Sequence, residues 1–300
     1  MFADGICQVS KNFFSKTVQF YDINYQLALN EDKTTIFENY CDFLNYFDSS
    51  ISVQLSFINQ QVDVAEFEKS IDIPDQNDDF NEIREEYRTM LKNQLSKGNN
   101  GLVKSKYITF GIEAESLKVA RPRLERIEAD ILNNFKVLGA QAHPLNGVER
   151  LEIMYHVFNQ DRIEPFRFNY KMLPQTGLKT KDFIAPTSFN FSKNSSFMMG
   201  KTLGSVSYLQ ILAPELTDRM LADFLDVDES INVNIHIQSI DQTSAIKMIK
   251  SKISDLDKMK IEEQKRAERS GYDMDVLPAD LMTYGDEAKN LLEDLQSRNE

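Results

Sequence analysis

The stretch Ile51-Ser52-Val53-Gln54-Leu55-Ser56-Phe57-Ile58 decides the fold class. Ile51, Val53, Leu55 and Phe57 fall on one face; Ser52, Gln54 and Ser56 fall on the other. That period of two marks a strand with one buried side. Upstream, Asp32 to Phe47 reads as an amphipathic helix, because Ile36, Phe37, Tyr40, Phe43, Leu44 and Phe47 recur at threes and fours. Thr17 to Ile23 reads as a strand before it. The three pieces form a strand–helix–strand unit.

The same order returns downstream. Ser205 to Leu212 is strand-like, and Pro214 opens a helix carrying Leu216, Met220, Leu221, Phe224 and Leu225. Ile231 to Gln238 alternates again, with Ile231, Val233, Ile235 and Ile237 on one face. Asp42-Phe43-Leu44 matches Asp223-Phe224-Leu225, and Ser50-Ile51-Ser52-Val53 matches Ser230-Ile231-Asn232-Val233. A degenerate duplication accounts for both the pattern and its order.

Further elements follow each unit. Phe80 to Leu95 is polar helical sequence, Gly98-Asn99-Asn100-Gly101 a turn, and Tyr107 to Ala114 a strand with Ile108, Phe110, Ile112 and Ala114 on one side. Pro122 to Leu138 reads as a helix with Leu124, Ile127, Ile131 and Phe135 inward and Gly139 as its stop. A shorter helix spans Val148 to Phe158. A long polar helix runs from about Gln242 to Ser270, stopped by Gly271, with Ile246, Ile249, Ile253 and Leu256 as its inner stripe. A last helix from about Asp286 carries Leu291, Leu292 and Leu295.

The expected fold is α+β. Two degenerate strand–helix–strand units form mixed or antiparallel sheets flanked by helices, and long polar helices follow each unit. The expected division is a first unit over 1–160, a connecting segment with short strands over 161–203, and a second unit over 204–300. Pro165, Pro174, Gly177 and Pro186 mark the connection. By the duplication a further strand is due after Glu300, so the chain is expected to be a piece of a longer protein.

Composition sets the class. Lys and Arg number 34 against 47 Asp and Glu, a net charge of −13. No direct nucleic-acid binding is expected from that balance, since such binding needs clustered cations on the phosphates. Twenty Phe, 11 Tyr and 41% hydrophobic residues argue for a packed core. Two cysteines, Cys7 and Cys41, are too few for a disulfide framework or a four-thiolate zinc site. No apolar run approaches the roughly 20 residues of a membrane span. Met1 to Gly5 lacks the basic-then-apolar pattern of a secretory signal. A soluble, reduced, acidic intracellular protein is the expected class.

The closest approach to a catalytic motif is Ser195-Ser196-Phe197-Met198-Met199-Gly200-Lys201-Thr202. A phosphate-binding loop needs glycine where Ser195 stands, and it should open a helix. Here Phe197 and Met198 occupy the would-be cradle and a strand-like run follows, so a hairpin turn is the preferred reading. His143, His156 and His236 have no second ligand at metal spacing and read as surface or locally bonded imidazoles. Cys41 reads as helix packing and Cys7 as an unactivated thiol. Adjacent carboxylates such as Glu113 with Glu115, or Asp78 with Asp79, sit in polar sequence and read as solvated. Lys258 to Arg269 mixes Lys258, Lys260, Lys265, Arg266 and Arg269 with Glu262, Glu263 and Glu268. Such a run reads as a solvated helix face or as a protein contact.

Five segments carry a family resemblance: Asp4-Gly5-Ile6-Cys7, Phe37-Glu38-Asn39-Tyr40-Cys41-Asp42-Phe43-Leu44, Lys181-Asp182-Phe183-Ile184-Ala185-Pro186, Leu209-Gln210-Ile211-Leu212-Ala213-Pro214-Glu215-Leu216 and Asp218-Arg219-Met220-Leu221-Ala222-Asp223-Phe224-Leu225. In them the chain, from Asp4 to Glu300, resembles the N-terminal region of the conjugative-transfer (type IV secretion) ATPases of Gram-positive integrative elements. The resemblance implies a non-catalytic assembly and docking region. Its implied partners are membrane subunits of the conjugation channel and other ATPase subunits, by self-association. The implied location is cytoplasmic, attached peripherally to the inner face of the membrane. ATP and magnesium belong to a C-terminal motor domain that this chain does not match. No catalytic, cofactor-binding or metal residue carries over, and the chain by itself is not expected to be an enzyme. Contact residues are expected at Lys260, Lys265 and Arg266, and in the loop from Thr180 to Pro186. Two alternatives stand beside this: a cryptic nucleotide hydrolase using Gly200, Lys201 and Thr202, and a stand-alone acidic adaptor.

Overall fold

The computed structural model describes residues 1–23, 25, 29–61, 73–97, 102–161, 165–210, 223–224, 227, 229–269 and 279–297. In chain order the first elements are β1 (Cys7–Gln8), β2 (Phe13–Phe20), α1 (Asn30–Asn45), β3 (Ile51–Gln61), α2 (Asn81–Lys97), β4 (Leu102–Glu113), α3 (Leu117–Val137), β5 (Ala142–Pro144) and α4 (Gly147–Phe158). Then come α5 (Met172–Thr176), α6 (Thr180–Ile184), β6 (Phe189–Asn190), β7 (Phe197–Met199), β8 (Thr202–Gly204), β9 (Ile231–Gln238), α7 (Gln242–Arg269) and α8 (Ala279–Ser297). The fold is α+β, with antiparallel sheets flanked by helices. It divides into two compact units, Met1–Ile237 and Gln238–Glu300.

The first unit is built on a sheet in the order β1-β2-β4-β3-β9, with β5 also paired to β2. β1 and β5 take different stretches of β2, at Phe14–Ser15 and Val18–Phe20 respectively. Register places Thr17 opposite Thr109, and Thr109 opposite Gln54. One face carries Phe14, Val18, Ile51, Val53, Ile108, Phe110 and Ile112, all buried. Onto the same core α3 brings Ala120, Leu124, Ile127, Ile131 and Phe135, a stripe at the spacing of a helix. Phe43 of α1 and Phe47, just past its end, join them, and the Phe135 ring lies 5.1 Å from those of Phe20 and Phe43. Each such side chain contributes roughly 1.5–3 kcal/mol on burial.

Local chemistry sets the helix limits. Gly139 adopts φ +76°, the left-handed conformation that ends a helix without a Cβ penalty. Asn146 caps α4 by accepting from the amides of Val148 and Glu149, while Glu149 accepts from the amide of Asn146. α3 starts at Leu117, five residues before the proline that the sequence suggested as its first turn. Pro122 costs one helical bond, to the Lys118 carbonyl. Both residues are exposed.

Several expectations are corrected. The first strand covers Phe13–Phe20 rather than Thr17 to Ile23, because β4 pairs with it from Phe13 to Phe20. Ser205 to Gln210 forms no strand: a strand needs a ladder partner, and Val206 and Tyr208 are 84% and 86% exposed. The rest of that expected strand, the helix residues Pro214 to Leu221 with Leu225, the turn Gly98 to Gly101, and Ser270 with Gly271 lie outside the described residues. Ile231–Gln238 is a strand as expected, yet β9 joins β3 in the first sheet instead of founding a second. Compactness divides the chain after Ile237. The second sheet is the small β6-β7-β8 meander.

In the second unit α7 and α8 pack together. The Gln242 side-chain amide donates to the Leu295 carbonyl at 2.6 Å. Ile249 is buried and Ile246, Ile253 and Leu256 are half-buried, as the inner stripe predicted.

Candidate functional site

The segment closest to a phosphate loop is a hairpin. Met199 pairs with Thr202 across β7 and β8, and the turn between them puts Gly200 at φ +58°. The Lys201 amide donates to Asp161 Oδ2 at 2.9 Å, and the Gly200 amide to the Ser188 carbonyl at 2.9 Å. A Cβ on Gly200 would come within 2.7 Å of the same carboxylate. The amide that would face a phosphate thus holds a carboxylate, and Thr202 enters β8 rather than a helix.

The histidines occupy exposed or half-buried positions. His143 Nε2 lies 3.2 Å from Glu149 Oε1, His156 Nε2 lies 4.0 Å from Glu152 Oε1, and His236 is exposed on β9. Cys41 is half-buried in α1. Cys7 is half-buried in β1 beside Arg150, a cationic neighbour that sequence spacing could not reveal.

Two helices present apolar residues to solvent. On α2 and the residue before it, Phe80, Ile83, Tyr87 and Met90 are 44–62% exposed. Their spacing of three, four and three makes one continuous stripe. Phe37, Tyr40 and Leu44 of α1 are exposed too, although the sequence pattern had assigned them to the buried face with Phe43 and Phe47. Only those two enter the core.

Ion pairs brace the flank of the α2 stripe. Arg84 bonds Asp78 and Asn81, and Arg88 Nη2 lies 2.7 Å from Asp75 and 2.8 Å from Glu85. The Arg84 guanidinium, then the Phe80 amide, hold the Asp78 carboxyl down to about 2. A carboxylate whose folded pKa is depressed stabilises above its ordinary value and stops doing so as pH falls through the folded value. Lowering the pH from about 4 to about 2 is expected to fray the first turn of α2. Asp78→Asn is expected to remove that acid step from amide hydrogen exchange at residues 81–84.

The expected contact residues separate. Lys260 continues the inner stripe of α7 and is half-buried, its Nζ close to Gly285 of α8. Lys265 and Arg266 are exposed, with Arg266 paired to Glu263 at 3.5 Å. The expected loop from Thr180 to Pro186 contains α6. It is tied down: the Asn159 amide donates to the Ile184 carbonyl at 3.0 Å, and the N-terminal ammonium donates to Thr180 Oγ1 at 3.4 Å.

A cavity of about 540 Å³ opens on the sheet face away from α3. Its sheet wall is a polar row: Thr17 Oγ1 lies 2.9 Å from Thr109 Oγ1, and Gln54 Nε2 donates to Asn234 Oδ1 at 2.9 Å. Ser56 Oγ donates to the same Asn234 oxygen at 2.7 Å. Ile153, Met154, Val157 and Phe158 of α4 supply an apolar wall. Arg150, also on α4, lines the cavity at 5% exposure. Its Nη1 donates to the Gly5 carbonyl at 2.6 Å and the Ser15 carbonyl at 2.8 Å, and Nη2 donates to Ser15 Oγ at 3.2 Å. Burial draws its pKa down to about 10, against the pull of Cys7 and Tyr170, so it stays cationic near neutrality. Burial, then the charge of Asp4, lifts Tyr170 to about 12, which keeps the phenol neutral.

No protein-family model matches the chain, and no curated protein does. No helix among the described residues is long and apolar enough to cross a membrane.

The polar side of β3 was legible as Ser52, Gln54 and Ser56. Arg150 carried no signal, because its surroundings come from Gly5 and Ser15, far away in sequence. The α2 stripe had a signal, the recurrence of Phe80, Ile83, Tyr87 and Met90, hidden among the charges of the same helix.

Proposed function

We propose that this chain is the non-catalytic assembly and docking region of a conjugative-transfer ATPase of the type IV secretion class. It would attach peripherally to membrane subunits of the translocation channel and support self-association. The family reading rests on the five segments quoted above. The observation that carries the docking role is the exposed apolar stripe Phe80-Ile83-Tyr87-Met90, with Phe37, Tyr40 and Leu44 as a second apolar face. Contiguous exposed apolar residues on rigid helices are characteristic of protein contact surfaces. Arg84 and Arg88 hold the flanking chain on α2, which keeps its stripe preformed. Lys265 and Arg266 provide a separate charged face on α7. ATP and magnesium are assigned to a motor domain outside this chain.

Co-purification with each membrane subunit of the same transfer operon tests the reading, and capture by at least one is the expected result. A charge-reversal series on Lys265 and Arg266 asks whether the α7 face contributes, with Lys260 as the half-buried comparison. The nucleotide alternative makes the opposite forecast. Steady ATP turnover by the isolated chain, lost on Lys201→Ala, would establish it and overturn the docking reading.

A further inference from the structure

The cavity between α4 and the polar side of the sheet combines two features that the docking role does not use. The first is a guanidinium whose hydrogen bonds to the described residues all go to neutral oxygens. Arg150 bonds the Gly5 carbonyl, the Ser15 carbonyl and Ser15 Oγ, and among the described residues it has no carboxylate partner. A buried charge without an opposite charge is expensive to hold. The guanidinium fork matches a carboxylate in two parallel bonds. Nε makes no bond to a described residue, and Nη2 makes one.

The second feature is the size and lining of the cavity. At about 540 Å³ the cavity falls within the range of small-ligand sites, roughly 300–1,000 Å³. Its apolar wall of Ile153, Met154, Val157 and Phe158 faces the hydroxyls and amides of Thr17, Thr109, Ser56 and Asn234. An inorganic anion would leave the apolar wall unused. A neutral hydrocarbon would leave the guanidinium unpaired.

We propose that this cavity binds a small monocarboxylate with an apolar body, its carboxylate on Arg150 and its body against Ile153, Met154 and Val157. The site stands independently of the docking reading. The competing account makes Arg150 a strut that merely ties Gly5 and Ser15 to α4. The two accounts differ in what the folded chain binds.

Calorimetric titration of the whole chain with octanoate, octan-1-ol and inorganic phosphate separates them. Saturable octanoate binding is expected, at least about tenfold tighter than for octan-1-ol or phosphate, a difference of about 1.4 kcal/mol. Met154→Trp fills the cavity while leaving Arg150 in place, and is expected to abolish binding with the circular dichroism spectrum unchanged. Arg150→Lys is expected to weaken octanoate at least about tenfold while sparing octan-1-ol. Cys7 lines the cavity and Cys41 does not, so octanoate should slow alkylation of Cys7 relative to Cys41. Should Arg150→Lys fail to fold, Met154→Trp and the alkylation ratio still decide. Absence of saturable octanoate binding, equal affinity for octan-1-ol or phosphate, or an unchanged Cys7-to-Cys41 ratio would each overturn the proposal.

Discussion

Replacing Phe110 by alanine is expected to cost about 3–5 kcal/mol, enough to unfold much of a marginally stable population. Phe110 is fully buried on β4, the strand flanked by β2 and β3. It belongs to the cluster formed with Leu124, Ile127 and Ile131 of α3. The strands on either side are held by their ladders, so the sheet cannot close over the lost ring. A residual cavity then adds to the lost transfer energy. Urea denaturation checks this: the midpoint should fall sharply with the slope unchanged. Phe80→Ala, on the exposed stripe that runs along α2, should change the unfolding free energy by less than about 0.5 kcal/mol. The contrast distinguishes a phenylalanine that holds the fold from one available to a partner.

Glu128→Ala is expected to be nearly as costly, about 3 kcal/mol, for an electrostatic reason. Lys16 lies on the apolar face of β2 between Phe14 and Val18, and its Nζ meets Glu128 Oε2 of α3 at 2.7 Å. The two side chains are 7% and 16% exposed, so water screens the pair weakly. Removing the carboxylate strands an ammonium beside the core. Removing both charges does not: the double variant Lys16→Met/Glu128→Leu should recover most of the loss, since a buried ion pair rarely outperforms apolar packing of similar volume. Denaturation of Lys16→Met, Glu128→Leu and the double variant yields the coupling directly. Additive losses in that cycle would show that the pair is not coupled.

The sequence exposed the fold unevenly, and the reasons are physical. Alternation in Ile51 to Ile58, Tyr107 to Ala114 and Ile231 to Gln238 announced three neighbouring strands, because each has one apolar face. β2 was harder to place. Ser15, Lys16 and Thr17 are buried, one by its ion pair to Glu128 and the others on the cavity side, so polarity mimicked exposure. The internal similarity of Ile51-Ser52-Val53 and Ile231-Asn232-Val233 was real as a pattern, and it suggested two sheets. Hydrogen bonding put the two strands side by side in one. On α1, helical periodicity counted Phe37, Tyr40 and Leu44 with the core, but a helix meeting a single neighbouring layer buries only a narrow stripe. The remainder is exposed, and the docking proposal rests on residues of that kind. Lys260 illustrates the converse: a cation in a charged run lies on the inner side of its helix.

The most direct test of the docking claim compares capture of the unmodified chain and of the double variant Ile83→Asp/Tyr87→Asp by the membrane subunits of the conjugation channel that the proposal names as partners. Both side chains are exposed, so the variant should keep its denaturation midpoint. The account predicts that the unmodified chain is retained by a membrane subunit and that retention falls at least about tenfold in the variant. Equal retention of both chains, or none of either by any subunit, would contradict it.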